Sequence, residues 1–209
     1  LAVMLPETML VSDDLGYDSV LRDSQRPIVL MPKANCDPLA ENIAPGLHDI
    51  GVMLPYSPVH DILVHEFAGP LVATSANISG EPVISDPELA EQCLSAISDA
   101  YLHHDRRIIH PVDDSVYRRI AGKARPLRLG RGLAPLELNL PQALPAPLLA
   151  VGGHLKNTVA LAWGRRVVIS AHMGDLSNLR GLERFKKTII DMQDLYGITA
   201  ASVAYDAHP

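Results

Sequence analysis

The sequence predicts an α/β fold in two parts, and three observations support that prediction. Short apolar runs bounded by proline, at residues 1–5 and 27–31 for example, alternate with helix-like segments over the first part of the 209-residue chain, as in layered α/β proteins. Four prolines then fall within residues 133–147, where no hydrophobic period is visible. Three strand-like runs follow in quick succession, joined by glycine turns that suit hairpins.

The first part alternates predicted strands and helices. Its strands are short apolar runs that end at proline, glycine or polar residues, and its helices are assigned from capping residues and three- to four-residue spacing. Ser57 before Pro58 marks the start of one helix, and Ser85 or Asp86 before Pro87 marks another. Strands are expected at 1–5, 27–31, 50–54, 71–74, 115–120 and 126–129, and helices at 10–21, 59–67 and 87–101.

The second part follows a semi-rigid, proline-rich linker. Strands are expected at 148–151, 158–163, 166–170 and 200–205, and a helix at 179–196, where Leu182, Phe185 and Ile189 recur near helical spacing. The predicted boundaries are 1–134 for the first domain, 135–147 for the linker and 148–209 for the second domain.

Composition narrows the classes of partner. The chain carries 18 basic and 24 acidic side chains, a net charge of −6, with 4% aromatic residues, which disfavours binding of a nucleic acid. The two cysteines cannot form a disulfide scaffold or a four-cysteine zinc site. No apolar run approaches the length of a membrane span. Because the chain begins inside a strand-like run without an initiator methionine, we expect a segment of a longer cytoplasmic protein.

A polar turn at residues 74–80 is the clearest local signal in the first part. Ser75, Asn77 and Ser79 follow a predicted strand and precede a predicted helix. Hydroxyls and backbone N–H groups at the carboxyl end of a strand suit phosphate oxygens. The same residue types also form ordinary capped turns, so spacing alone leaves both interpretations open.

Charged residues between 110 and 131 form a second candidate site. Asp113, Asp114 and Ser115 are suited to hold a magnesium ion or a ribose, or to form an Asx turn at a strand entry. Arg125, Arg128 and Arg131 are suited to bind a triphosphate, or lie on a solvated strand edge.

Two polar turns of the second part form a third candidate site. Glycines at 152 and 153 allow the backbone to approach a ligand closely, and Lys156, Asn157 and Thr158 offer a cation, an amide and a hydroxyl. A second polar turn with His172 and Asp175 follows a later strand. A glycine hairpin of this kind opens the actin-like nucleotide-binding fold, although an ordinary hairpin has the same pattern.

Taken together and in order, these stretches resemble the carbamoyltransferases that mature nickel–iron hydrogenases. The resemblance covers nearly the whole chain. It rests on IAPGL at 43–47, GVMLPYSP at 51–58, TSANISGEP at 74–82, HDR at 104–106, DDSV at 113–116, GGHLKNT at 152–158, HMGDL at 172–176 and DAHP at 206–209.

The resemblance implies a fold and a reaction. The fold is an incomplete twisted-sheet domain like threonylcarbamoyl-adenylate synthase (YrdC-like), followed by the first part of an actin-like transferase domain. The family converts carbamoyl phosphate and magnesium-bound ATP into a carbamoyl adenylate. It then passes the carbamoyl group to the C-terminal cysteine of a partner maturation protein, where dehydration gives a cyanide ligand. Zinc is expected in a region upstream of this chain and the transferase metal downstream, so no metal site is expected here.

The resemblance also implies nucleotide-binding residues. Ser75 and Asn77 match a Ser-x-Asn pair that contacts nucleotide, with Ser79 in the same turn, while Ser115 and Arg131 match a later serine and arginine that face phosphate or ribose. In the second domain, the matching residues are Lys156, Asn157 and Thr158 of the hairpin and His172 and Asp175 of the next turn. Catalytic roles are not assigned.

Two other functions are weighed against this one. A free-standing threonylcarbamoyl-adenylate synthase of tRNA modification would not continue into the hairpin at 152–158 and the segments after it. A non-catalytic module that binds nucleotide or RNA is the third possibility, and the acidic balance disfavours RNA.

Overall fold

A computed structural model describes residues 1–9, 16–36 and 39–207. The chain forms two compact units, Leu1–Thr74 with Asp114–Leu133, and Ser75–Asp113 with Ala134–Pro209. Of the predicted helix at 10–21, residues 10–15 lie outside the described ranges, as do His208 and Pro209 of the last motif. Among the described residues, no helix is both long and apolar enough to cross a membrane.

The first unit contains a mixed six-stranded sheet. Its strands are β1 (Ala2–Met4), β2 (Ile28–Pro32), β3 (Asp49–Met53), β4 (Leu71–Ala73), β5 (Val116–Ile120) and β6 (Lys123–Arg128), in the spatial order β4-β1-β3-β2-β5-β6. The pairs β1–β3 and β2–β5 are parallel, and the other pairs are antiparallel.

Among the described residues of the same unit there are two α-helices and three 3-10 turns. They are α1 (Tyr17–Leu21) and α2 (Pro58–Phe67), with 3-10 turns at Glu7–Met9, Lys33–Asn35 and Glu41–Ile43. Helix α2 begins as predicted, because the Ser57 side chain accepts a hydrogen bond from the backbone N–H of His60. Val3, Val29 and Val52 from the central strands pack with Leu21 and Leu54 into the core.

The second unit contains a five-stranded sheet and two helices. Its strands are β7 (Leu136–Asn139), β8 (Leu148–Val151), β9 (Val159–Trp163), β10 (Arg166–Ile169) and β11 (Ser202–Ala204), in the order β11-β8-β9-β10-β7. Strand β11 is parallel to β8 and the other pairs are antiparallel. The helices are α3 (Pro87–Leu94) and α4 (Leu179–Tyr196). Val159, Leu161 and Val168 of the sheet pack with Met173 and Met192.

The main differences from the sequence prediction concern β7, α3 and β6. Strand β7 lies inside the predicted linker. The strand can form there because Pro135 and Pro141 flank it and leave its backbone free to pair with β10. Helix α3 ends at Leu94 and not at 101, and Ile97 beyond it is 73% exposed and gains no burial. Strand β6 starts earlier than predicted, since its first residues pair directly with the end of β5.

Candidate functional site

The hairpin between β8 and β9 is built around a buried asparagine. Asn157 is 1% exposed; its backbone N–H donates to the Gly174 carbonyl at 2.8 Å, and its carbonyl accepts from Met173 at 2.9 Å. Its side-chain amide donates to the Gly153 carbonyl. The amide oxygen is buried without a hydrogen-bond partner among the described residues. Asn157 therefore ties the two sides of the glycine loop to the turn after β10.

Gly152 lies at a tight position at the start of this loop. A Cβ atom on Gly152 would lie 3.1 Å from the Thr158 carbonyl oxygen and 3.3 Å from the Asn157 side-chain nitrogen. The Gly152 N–H donates to that same carbonyl at 3.2 Å. The absence of a side chain thus lets the two strands meet closely at the loop.

The predicted residues Lys156 and Asp175 are brought together by a hydrogen bond. The backbone N–H of Lys156 donates to Asp175 Oδ1 at 2.9 Å, and the N–H of Leu176 donates to the His154 carbonyl at 2.9 Å. Lys156 is exposed with a φ of 52°, and within the described ranges its ammonium group has no protein partner. An ammonium group in this position is available to a phosphate.

Asp206 lies beside the same loop. It follows β11, which is parallel to β8, and a Cβ atom on Gly153 would be 3.5 Å from Asp206 Oδ2. Asp206 lies in one of the motifs of the family resemblance but was not predicted as a site residue. Its position directly after a predicted strand was the available signal.

His172, unlike the other predicted residues of the second domain, lies next to Asp113. Its Nδ1 is buried and lies 3.5 Å from Asp113 Oδ2, without hydrogen-bond geometry. Arg184 of α4 donates to the Pro111 carbonyl at 2.9 Å and lines a cavity of about 970 Å³. Burial lowers the pKa of the Arg184 guanidinium, and the charge of Asp113 opposes that effect. Asp113 is thus associated with His172 and Arg184 within the second unit.

The polar turn at residues 74–80, here called the serine–asparagine turn, is held by Asn77. The Ser75 hydroxyl donates to Asn77 Oδ1, and Asn77 Nδ2 donates to the carbonyls of Ile78 and Glu81, both at 3.0 Å. Ser75 and Ser79 are exposed, and Gly80 has a φ of 82°. The turn therefore presents hydroxyls at the surface, while the Asn77 side chain sets its shape.

In the first unit, Ser115 and Arg131 are linked by a buried hydrogen-bond network. The Ser115 side chain is fully buried; it donates to the Arg131 carbonyl at 3.0 Å and accepts from the Gly130 N–H at 3.1 Å. The Arg131 guanidinium binds Asp114 Oδ1 at 3.0 and 2.9 Å and the carbonyls of Gln25 and Arg26. In this structure the charges of the Asp114 carboxylate and the Arg131 guanidinium therefore neutralise each other.

Aromatic residues complete the Arg131 cluster. The guanidinium lies 3.6 Å from the centre of the Tyr56 ring, and the His60 ring packs edge-on against Tyr56 at 4.6 Å. Burial raises the pKa of Tyr56 and lowers that of His60, whose Nδ1 is buried without a partner among the described residues. Tyr56 and His60 were not predicted as site residues, although Tyr56 lies in the stretch at 51–58 that carries the family resemblance and His60 follows that stretch closely.

The structure thus groups the predicted residues, apart from His172, into three sets. Lys156, Asn157, Thr158 and Asp175 surround one hairpin; Ser75, Asn77 and Ser79 share one turn; Ser115 and Arg131 share one network. No group of three or more His, Cys, Asp or Glu side chains among the described residues is placed to hold a metal ion.

Both halves of the chain match known families. Residues 3–130 match the family model described as Telomere recombination, and residues 143–209 match the one described as HypF Kae1-like domain. Carbamoyltransferase HypF of Synechocystis sp. is 42% identical over 190 residues, which cover 91% of this chain and 25% of that protein. Carbamoyltransferase HypF of Rhodobacter capsulatus is 39% identical over 193 residues, covering 91% of this chain and 26% of that protein.

A solved structure agrees with these relatives over nearly the whole chain. The crystal structure of full-length HypF in the phosphate- and nucleotide-bound form has a TM-score of 0.92 and 37% identity, covering 99% of this chain and 33% of that one. The chain spans about a quarter of the length of the curated relatives it matches. Identity at this level, with both domain types present in order, shows that the chain belongs to the HypF family.

Proposed function

We propose that this chain contributes two nucleotide-binding regions to an ATP-dependent carbamoyltransferase of hydrogenase maturation. The observation that carries the proposal is the pairing, in one chain, of a YrdC-like segment and a Kae1-like segment, each with its polar loops built as described above. A free-standing synthase would have only the first segment.

The proposed reaction starts from carbamate, which hydrolysis of carbamoyl phosphate by water supplies together with inorganic phosphate, and it then has two steps. In the first step, a carbamate oxygen attacks the α-phosphorus of ATP, and pyrophosphate leaves to give carbamoyl adenylate. A cysteine thiolate at the C-terminus of a partner maturation protein then attacks the carbamoyl carbon, and AMP leaves as the thiocarbamate forms. ATP is taken as its magnesium complex, and the protein's part is to stabilise charge on the phosphates. The metals expected elsewhere in the family are assigned to no residue of this chain.

The serine–asparagine turn is proposed to contact ATP in the first step. Ser75 and Ser79 present exposed hydroxyls, whereas Asn77 keeps the turn in shape. Arg131 would bind phosphate or ribose only by exchanging contacts with Asp114, Gln25 and Arg26. Ser115, which is fully buried, would support that region through the turn at Gly130.

The glycine hairpin is proposed to bind a nucleotide in the transferase half. Lys156 supplies the exposed cation, Thr158 a hydroxyl, and Asp175 the carboxylate that fixes the Lys156 backbone. Asn157 is enclosed, so its contribution is to hold the loop. His172, beside Asp113, is proposed to lie at the edge of this site.

The test is pyrophosphate release by the complete gene product that carries this chain. We expect AMP and pyrophosphate formation that requires both ATP and carbamoyl phosphate. Formation that requires threonine and bicarbonate would favour the synthase of tRNA modification, and no turnover would favour a non-catalytic nucleotide-binding module.

A further inference from the structure

The first turn of helix α4 contacts the serine–asparagine turn directly. Asn178 Nδ2 donates to the Gly80 carbonyl at 2.7 Å, and Arg180 Nη1 lies 2.7 Å from Glu81 Oε2. All four residues belong to the second compact unit, but they come from different matched segments: Gly80 and Glu81 from 3–130, and Asn178 and Arg180 from 143–209. A residue of the Kae1-like half therefore holds a loop of the YrdC-like half.

The contacted positions are the ones that shape the turn. Asn77 Nδ2 donates to the Glu81 carbonyl at 3.0 Å, and the Glu81 N–H donates to the Ile78 carbonyl at 2.9 Å. A displacement of Glu81 would therefore be transmitted to the Asn77 side chain and to Ser75, which hydrogen-bonds to it.

The helix end that makes these contacts is itself fixed. Asn178 is the N-cap residue, and its Oδ1 accepts from the Gly181 N–H at 2.8 Å. Gly181 lies very close to Asp175: a Cβ atom on Gly181 would be 2.6 Å from the Asp175 carbonyl oxygen. The start of α4 thus touches the serine–asparagine turn and the backbone of Asp175, whose side chain binds the hairpin.

We propose that Asn178 and Arg180 are positioning residues for the ATP site formed by the serine–asparagine turn, so that the Kae1-like half sets the affinity of the YrdC-like half for ATP. The proposal rests on the proposed function, in which that turn contacts ATP. Neither residue touches the nucleotide; each acts through Gly80 or Glu81.

The solvent exposure of the Arg180–Glu81 ion pair sets the size of the expected change in the KM for ATP. The Arg180 and Glu81 side chains are 42% and 31% exposed, so solvent weakens their attraction, and such pairs change equilibria by a factor of about two to five. We expect Arg180→Ala to raise the KM for ATP by about that factor. Arg180→Glu, which places two carboxylates together, should raise it further.

Charge exchange provides the decisive variant. Glu81→Arg alone should raise the KM for ATP as Arg180→Glu does, and the double variant Glu81→Arg with Arg180→Glu should restore it towards the wild-type value. Asn178→Asp removes the donor to the Gly80 carbonyl but keeps the side-chain oxygen that caps the helix. This variant therefore tests the contact with the turn without removing the N-cap of α4. The matched control is Arg166→Ala, which removes an exposed ion pair with Glu137 between β10 and β7, where both side chains are 48% exposed.

The experiment measures carbamoyl-phosphate-dependent pyrophosphate release by the complete gene product as ATP is varied. A positioning role raises KM with little change in kcat, whereas a loss of folded enzyme lowers kcat alone. Wild-type release with an unchanged KM in Arg180→Glu, or a double variant no better than its single variants, would overturn the inference. If the wild type shows no carbamoyl-phosphate-dependent release, the proposed function fails first and the inference with it.

Discussion

At the scale of single residues, buried polar side chains give the candidate loops their shape. Asn157 and Ser115 are almost wholly enclosed, and each joins backbone groups on two sides of a turn. Exposed side chains such as Lys156 and Ser75 make the groups available to a ligand. The two kinds of residue should therefore respond differently to substitution.

Asn157→Ala should lower the free energy of unfolding by about 1–3 kcal/mol, because the Gly153 carbonyl loses its side-chain donor. Chemical denaturation of the complete gene product measures this. Lys156→Ala is the matched variant: it should change stability by less than about 0.5 kcal/mol and weaken nucleotide binding by the transferase half. Equal destabilisation by both variants would contradict this division of roles.

Asn77→Ala should abolish ATP binding at the site proposed for the serine–asparagine turn, since the three hydrogen bonds that shape this turn disappear together. Isothermal titration with ATP measures the affinity. The exposed residue Asn139 of β7 provides the control, and Asn139→Ala should bind ATP as the wild type does. An unchanged affinity in Asn77→Ala would remove the turn from the ATP site.

His60 should make stability depend on pH. Burial lowers its pKa in the folded chain, so below about pH 6.5 the unfolded chain takes up a proton that the folded chain resists. Stability is therefore complete above that pH and falls as the solution becomes more acidic. Denaturation midpoints between pH 8 and pH 5 should show a smaller decline in His60→Gln. A decline as steep in His60→Gln as in the wild type would contradict this role of His60.

At the scale of elements, prediction succeeded where local signals agree with packing. Helix α4 was predicted with its observed bounds, because Asn178 caps its start, Gly197 ends it with a φ of 63°, and Phe185, Ile189 and Met192 pack on the sheet. Strand β7 could not be found from its sequence, since the four residues gain their structure from pairing with β10, which lies far along the chain.

Helix α4 also depends on a glycine within it. Gly181→Ala should destabilise the second unit by about 1–3 kcal/mol, because the added methyl would lie 2.6 Å from the Asp175 carbonyl oxygen. Alanine's better helix propensity, worth about 1 kcal/mol, does not offset such an overlap. Gly69→Ala is the matched control, since its Cβ atom would be no closer than 3.5 Å to its neighbours. Similar thermal midpoints for both variants would contradict the close approach.

At the scale of the whole molecule, the order of motifs identified the family, and the structure added contacts that no motif contains. The resemblance placed Asn77 and Asp175 in two separate loops, but it could not show that Asn178 and Arg180 reach back to Gly80 and Glu81. The association of Asp113 with His172 was also beyond prediction, because side-chain contacts between distant segments depend on the packed fold.

The central claim, that the complete gene product is a carbamoyltransferase, is tested most directly by following the carbamoyl carbon. The protein is incubated with ATP, carbamoyl phosphate labelled with carbon-14 and a maturation protein that ends in cysteine. We predict ATP-dependent label on the partner, lost when its terminal cysteine is replaced by serine. Pyrophosphate release with no label on the partner, or labelling that persists without the cysteine, would contradict the account.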